Sequence, residues 1–163
     1  MKHGIRMLLP AVVLAVLCAC AGEKVPTDLG AGGEPMDIMT FSFVHTESAM
    51  DACFSLELTR EENGVRVHAE ELFSGGHIAD SVVESGVLER VEEWAGTYDL
   101  GQWDGFDKND RHASDGSTFT LHITRTDGST VSAHGNNRFP EGYSEFYSEI
   151  RGLYHELMEQ YGN

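Results

Sequence analysis

Beyond residue 36, apolar residues recur with two distinct periods. Alternation marks a strand with one buried face, and it appears first in residues 37–45: Met39, Phe41 and Phe43 fall on one face, Thr40 and Ser42 on the other. A second strand over residues 52–60 turns Phe54, Leu56 and Leu58 inward. Asn63-Gly64 then reads as a two-residue turn, with Val65, Val67 and Ala69 returning and Leu58 opposite Ala69. After the loop Phe73-Ser74-Gly75-Gly76 the period changes. Val83, Val87 and Val91 repeat every four residues, Leu88, Trp94 and Ala95 widen the stripe, and the spacing predicts a helix over 80–97 with Asp80 as N-cap. Gly86 inside that helix costs roughly 1 kcal/mol relative to alanine. A connection over 98–115 leads to a second hairpin, in which Phe119, Leu121 and Ile123 point inward and Thr126-Asp127-Gly128 turns. A three-residue loop with Gly128 left-handed sets Ile123 opposite Val131 and Leu121 opposite Ala133. Phe146, Ile150, Leu153 and Leu157 form the stripe of a last helix over 141–161, flanked by Tyr143, Tyr147 and Tyr154.

The sum is an α+β domain over residues 37–163, with about five mainly antiparallel strands and two helices covering one face. Phe54-Ser-Leu-Glu-Leu-Thr-Arg60 lines up with Phe119-Thr-Leu-His-Ile-Thr-Arg125, and each is followed by a turn, a strand, a loop and a helix. That fits a duplicated β-β-α unit, and equally two solutions to one strand pattern.

The first residues follow a different logic. Lys2 and Arg6 precede an uncharged run over 7–21, which at about 15 residues suits a signal-peptide core better than a spanning helix of roughly 20. Pro10 also opposes a stable spanning helix. The run ends in Leu17-Cys18-Ala19-Cys20, which resembles the lipobox of bacterial lipoproteins. The small Ala19 stands directly before Cys20, whereas Cys18 follows the bulky Leu17, so the match falls on Cys20. The resemblance implies removal of residues 1–19, a diacylglycerol thioether on Cys20 and an acyl group such as palmitate on its amine. More than one chain is what stable anchoring requires, since each buried CH₂ contributes roughly 0.8 kcal/mol. The resemblance places the domain on the extracytoplasmic face of a membrane. In a two-membrane cell the outer membrane is an open destination, because Ala21 does not resemble an inner-membrane retention signal. Residues 21–36 have four glycines and two prolines and read as a tether, spanning on the order of 20–24 Å as a flexible chain.

Charge narrows the partners. Removal of residues 1–19 takes Lys2 and Arg6 and leaves 9 cations against 27 acids, a formal charge of −18. Such a surface repels nucleic acid and anionic head groups, leaving the lipid on Cys20 as the membrane contact and an envelope protein or peptide as the expected partner. With Cys20 blocked, Cys53 is the one remaining thiol after cleavage, and beside Ala52 and Phe54 it reads as a buried, inert side chain.

His68, His122 and His134 all fall out of phase with the apolar positions of their strands. They therefore share the face away from the helices and define a candidate binding face. Trp103 and Phe106, in the loop beside it, either anchor a ligand there or cover the end of the core. The chain lacks His-x-x-His, His-Glu-x-x-His and Cys-x-x-Cys spacings, so no metal or cofactor is expected. Asp107-Lys-Asn109-Asp110 begins like a calcium loop, but Arg111 and His112 stand where an EF-hand needs Asp or Asn and then Gly. A looser site of Asp104, Asp107, Asn109 and Asp115 competes with a plain solvated loop. There is no Gly-x-Ser-x-Gly elbow, and Gly75-Gly76 lacks the lysine of a P-loop.

The second half resembles uncharacterised domains of bacterial lipoproteins. It does so through Trp103-x-Gly105-Phe106, Asp115-Gly116, Phe119-x-Leu121, Asp127-Gly128 and Asn137-x-Phe139-Pro140. That resemblance supports the fold boundaries and implies no chemistry. The expectation is a tethered binding or interaction module. A small extracytoplasmic hydrolase or metal-dependent enzyme, and a structural subunit of an envelope complex, are the alternatives.

Overall fold

The structure, a computed structural model, describes residues 34–48, 52–73, 76–110 and 116–163. Cys20, the run expected to be a signal peptide and most of the segment expected to be a tether lie outside the described residues. The chain builds an α+β domain on one sheet whose strands lie in the order β4-β3-β2-β1-β6-β7-β5. These are β1 (Ile38–Glu47), β2 (Phe54–Glu61), β3 (Gly64–Glu71), β4 (Ile78–Val83), β5 (Phe106–Asn109), β6 (Ser117–Arg125) and β7 (Thr130–Asn136). All neighbours pair antiparallel except β5 with β7. The helices α1 (Gly86–Thr97) and α2 (Tyr143–Tyr161) pack their apolar stripes into one core with the sheet's apolar face. None of the described helices is long and apolar enough to cross a membrane.

Seven strands replace the expected five, and both additions have a physical reason. Residues 80–83 matched a helical stripe only because Val83 stands four places before Val87. In fact Ala79 and Val83 alternate inward against β3, while Asp80 pairs with His68 on the opposite face and caps no helix. The helix begins after Ser85, whose carbonyl accepts the Leu88 and Glu89 amides at 2.9 and 3.1 Å. Gly86 is thus its first residue, where an interior penalty does not apply. The second addition, β5, is four residues of mostly polar chain, held by backbone pairing that its side chains do not advertise.

The longest strand, β1, takes the centre. Phe43 stands between Leu56 and Leu121, Phe41 between Leu58 and Ile123, and His45 between Phe54 and Phe119. The two seven-residue segments that look alike in sequence therefore dock at the same level on opposite sides of one strand. At the start of β1 a bulge between Ile38 and Thr40 shifts the phase. Ile38 is fully buried and Met39, expected inward, is exposed. Met36, assigned to the tether by composition, is also buried, and its N–H donates to the Glu92 carbonyl at 3.3 Å.

The second hairpin has the expected register, Ile123 facing Val131 and Leu121 facing Ala133. The first slides by two residues: Glu62-Asn63 forms the turn, Gly64 pairs with Glu61, and Leu58 faces Val67. A slide of two keeps every side chain on its face, which is why alternation could not detect it. Gly64 is required there, because a Cβ would run into the Val83 carbonyl oxygen. Both sheet edges are blunted. The chain end covers β4 through an Ala79–Gly162 bridge and an Asn163 amide donating to the Ile78 carbonyl at 3.2 Å, and β5 is short and polar.

Candidate functional site

Among the described residues the sheet's second face carries no helix; the adjacent strands β2, β1, β6 and β7 furnish it with mostly small polar side chains, and β3 beside them adds Arg66, His68 and Glu70. Thr40, Ser42 and Val44 lie beside Thr59, Glu57 and Ser55 on one side and Thr124, His122 and Thr120 on the other, with Ser132 beyond His122. Away from the strand ends, Glu57 is the one acid on these four strands' open face, in a chain with 27 acids. Asp80, His68, Glu57, Ser42, His122 and Ser132 form one continuous row across the sheet. The three candidate histidines do share this face, but they do not converge. His68 and His122 are three strand spacings apart, on the order of 14 Å. His122 Nδ1 is 2.8 Å from Ser132 Oγ, His134 Nδ1 is 3.2 Å from Thr120 Oγ1, and His68 Nδ1 is 3.6 Å from Asp80 Oδ2. Among the described residues no group of three or more His, Cys, Asp or Glu side chains is placed to hold a metal ion.

Trp103 does not belong to this face. It is buried in the core, where its Nε1 donates to the Glu141 carbonyl at 3.1 Å and its ring meets Phe119 and Phe146 edge-on. Of its two readings, covering the core is the one the geometry takes. Phe106 is half-buried against Phe119. The loose calcium set is dispersed: Asp104 Oδ1 accepts the Ser132 amide at 2.9 Å, Asp107 and Asn109 lie in β5, and Asp115 is outside the described residues.

The residues that sequence reasoning missed sit where β1 ends. His45 continues the inward phase of Phe41 and Phe43, and that alone was the signal that a polar ring would enter the core. It is 2 % exposed, with Nδ1 2.9 Å from Tyr143 Oη and Nε2 3.0 Å from Glu47 Oε1. Burial pulls His45 below its ordinary pKa, against the opposing pull of Glu47, and burial lifts Tyr143 well above its own. Both groups are therefore neutral near pH 7. With Glu47 as acceptor, the Nε2–H of His45 donates to it and Tyr143 donates to Nδ1. The Tyr147 ring lies 4.3 Å from the imidazole, centroid to centroid, and its buried hydroxyl has no hydrogen-bond partner among the described residues. Cys53, buried as expected, accepts the Glu47 amide at 3.1 Å and donates to the Glu47 carbonyl at 3.3 Å. A Tyr–His–Glu chain of this kind can pass a proton, but here it is largely enclosed, with Glu47 its most exposed member. Its first effect is to tie β1 to α2.

Beside this cluster a groove of about 330 Å³ runs between α2 and the ends of β2 and β3. Cys53, Phe54, Glu71, Arg151, Tyr154 and Met158 are among the residues lining it. Cys53 is common to groove and cluster, and the Arg151 charge acts on both His45 and Tyr147, so the two adjoin. Comparison with protein-family models, curated proteins and solved structures finds no match to this chain.

Proposed function

We propose that the chain is a membrane-tethered extracytoplasmic lipoprotein, held by lipid on Cys20, whose folded domain is a binding or interaction module. The lipobox-like Leu17-Cys18-Ala19-Cys20 and the glycine-rich segment behind it support the tether. The observation that carries the module is the open sheet face. A chain of this acidity would be expected to spread charge over any solvated surface, yet the adjacent strands β2, β1, β6 and β7 hold mostly Ser, Thr and His with only Glu57 among them away from the strand ends, the further charges Arg66 and Glu70 standing to one side on β3. Charge is what a protein interface must avoid desolvating, and depletion of charge is what marks interface cores. Hydroxyl rows on a rigid sheet supply hydrogen bonds to a partner at small entropic cost. The partner is an envelope protein or peptide that lies across the sheet. A duplication belongs to this reading as the origin of the two hairpins that flank β1, with β4 a later insertion between the first hairpin and α1.

The test is a crosslinked pull-down of the full-length protein from native membranes, with Cys20→Ala as control and palmitate labelling of both. Label on the wild type alone, with one dominant partner retained by the wild type and lost by Cys20→Ala, is the expected result. Equal labelling of the two proteins would overturn the anchor. A correctly anchored wild type that retains no partner would overturn the module. One constant stoichiometric partner would identify a subunit of a fixed complex, and several would identify a general binder.

A further inference from the structure

We infer that the partner on the open face is a second copy of this chain, turned about a two-fold axis that runs along β1. The inference rests on the reading of that face as a docking surface and names its occupant.

The strand order makes the face complementary to itself. β2 and β3 lie on one side of β1, β6 and β7 on the other. Two sheets packed face to face keep their strands within about 30° of each other, roughly 10 Å apart. A two-fold axis along β1 then lays β2 over β6 of the second copy and β3 over its β7, with each row of side chains over the same row. Ser42 meets Ser42 on the axis. Next to it Glu57 faces His122, because the two stand level with Ser42 on opposite flanks of β1. One strand further out Glu70 faces His134, since both belong to the row of Val44. The acids of one half thus meet the imidazoles of the other, and hydroxyls cover the remainder. His122 holds Ser132 Oγ through Nδ1 at 2.8 Å, which leaves its Nε2 for the Glu57 carboxylate of the second copy.

An axis across the strands, through the row of Ser42, fails on two counts. It lays every strand on its own copy, so that Glu57 opposes Glu57, a like-charge contact that disfavours association. It also sends the two β1 starts to opposite ends of the pair. The axis along β1 keeps both starts at one end, with Met36 leading into each, so that two copies tethered by their N-terminal segments reach one membrane.

Area and charge agree with this arrangement. The five strands from β3 to β7 across β1 cover about 24 Å, and seven residues of strand about 23 Å, or roughly 550 Å² on each copy. The pair buries about 1,100 Å² before the margins on β4 and β5 are added, above the roughly 1,000 Å² that a specific interface needs. With 27 acids against 11 Lys and Arg, two copies repel wherever that surplus is exposed. On β2, β1, β6 and β7 the open face carries only Glu57 away from the strand ends, and the two-fold axis supplies its partner.

The experiment is cysteine crosslinking of the full-length protein in its native membranes with a bis-maleimide spanning about 10 Å, the expected separation of the two faces. Ser42→Cys, on the axis, should give a product of twice the chain mass, and neither wild type nor Glu149→Cys, on the exposed side of α2, should give it. Adding His122→Glu to Ser42→Cys sets acid against Glu57 and should lower the yield about tenfold. Adding Glu57→Lys as well should restore it to within about twofold of Ser42→Cys alone, which a misfolded variant would not do. No doubled product from Ser42→Cys, or no rescue by the charge exchange, would overturn the dimer. A photo-crosslinker at Thr120 separates the two claims: adducts with a different protein and none with this chain would leave the docking face standing without the dimer, and no adduct at all would overturn both.

Discussion

The central strand β1 is tied to a helix at each end, and the two ties use opposite chemistry. At its start, Arg60 donates through Nε to the Ile38 carbonyl at 3.0 Å and through Nη2 to Glu92 Oε1 of α1 at 2.6 Å, while the same oxygen accepts the Ile38 amide at 2.7 Å. At its end, His45 joins Tyr143 of α2 through neutral hydrogen bonds. Exposure accounts for the difference. The Arg60 side chain is 32 % exposed and that of Glu92 14 %, so water still helps to solvate a charge pair, whereas His45 at 2 % is too enclosed to hold a proton cheaply. One end of the strand is held by an ion pair and the other by an uncharged imidazole bridging Tyr143 and Glu47. The two should therefore respond differently to truncation and to pH.

The largest effect is expected at the neutral end. His45→Ala leaves a cavity and strips Tyr143 of its acceptor, and should cost about 4 kcal/mol in urea unfolding. A cost below about 1 kcal/mol would mean that the cluster is loosely packed. At the charged end, Glu92→Leu removes the partner of a half-exposed Arg60 and orphans the Ile38 amide, with a smaller expected loss of about 2 kcal/mol.

Acid should separate the ends further. Because the folded chain holds His45 below its ordinary pKa, the unfolded chain takes up that proton first. Stability should fall as pH drops below about 6.5 and level off once the folded protein is also protonated. Urea midpoints between pH 8 and pH 5 check this, and His45→Gln should remove that part of the slope. The base limb has the opposite sign. Burial pushes Tyr154 up to about 12 and Tyr143 higher still, so unfolded tyrosines ionise first and stability should decline as pH climbs past about 10. The smallest effect tests the bulge beside the charged tie. Met39→Ala should stay within about 0.5 kcal/mol, whereas Ile38→Ala should cost about 2–4 kcal/mol. Equal costs would contradict the shifted phase.

Local pattern carried the fold as far as local pattern can. Alternation revealed the inward faces of β2, β3, β6 and β7, and a period near 3.6 revealed both helices, because burial imposes those spacings directly. It failed where one residue satisfied two periods, as Val83 did, and where a strand owes its place to backbone pairing, as β5 does. It failed again at Ile38-Met39, where two adjacent apolar residues make either phase acceptable until a bulge decides between them. The candidate face was legible for His68, His122 and His134, since their phase alone put them there. The His45 cluster was half legible. The inward phase of His45 was visible, but its partner Tyr143 stands 98 residues away, and no local period records which helix end meets which strand end. The groove was hidden for the same reason, because α2 and the ends of β2 and β3 come together only through the fold.

The account rests most heavily on the open face as the docking surface. A photo-crosslinking amino acid placed in the full-length protein in its native cells at Thr120, on that face, and separately at Glu149, on the exposed side of α2, tests this most directly. The account predicts a discrete partner adduct from position 120 and none from 149. Adducts from 149 with none from 120 would contradict it.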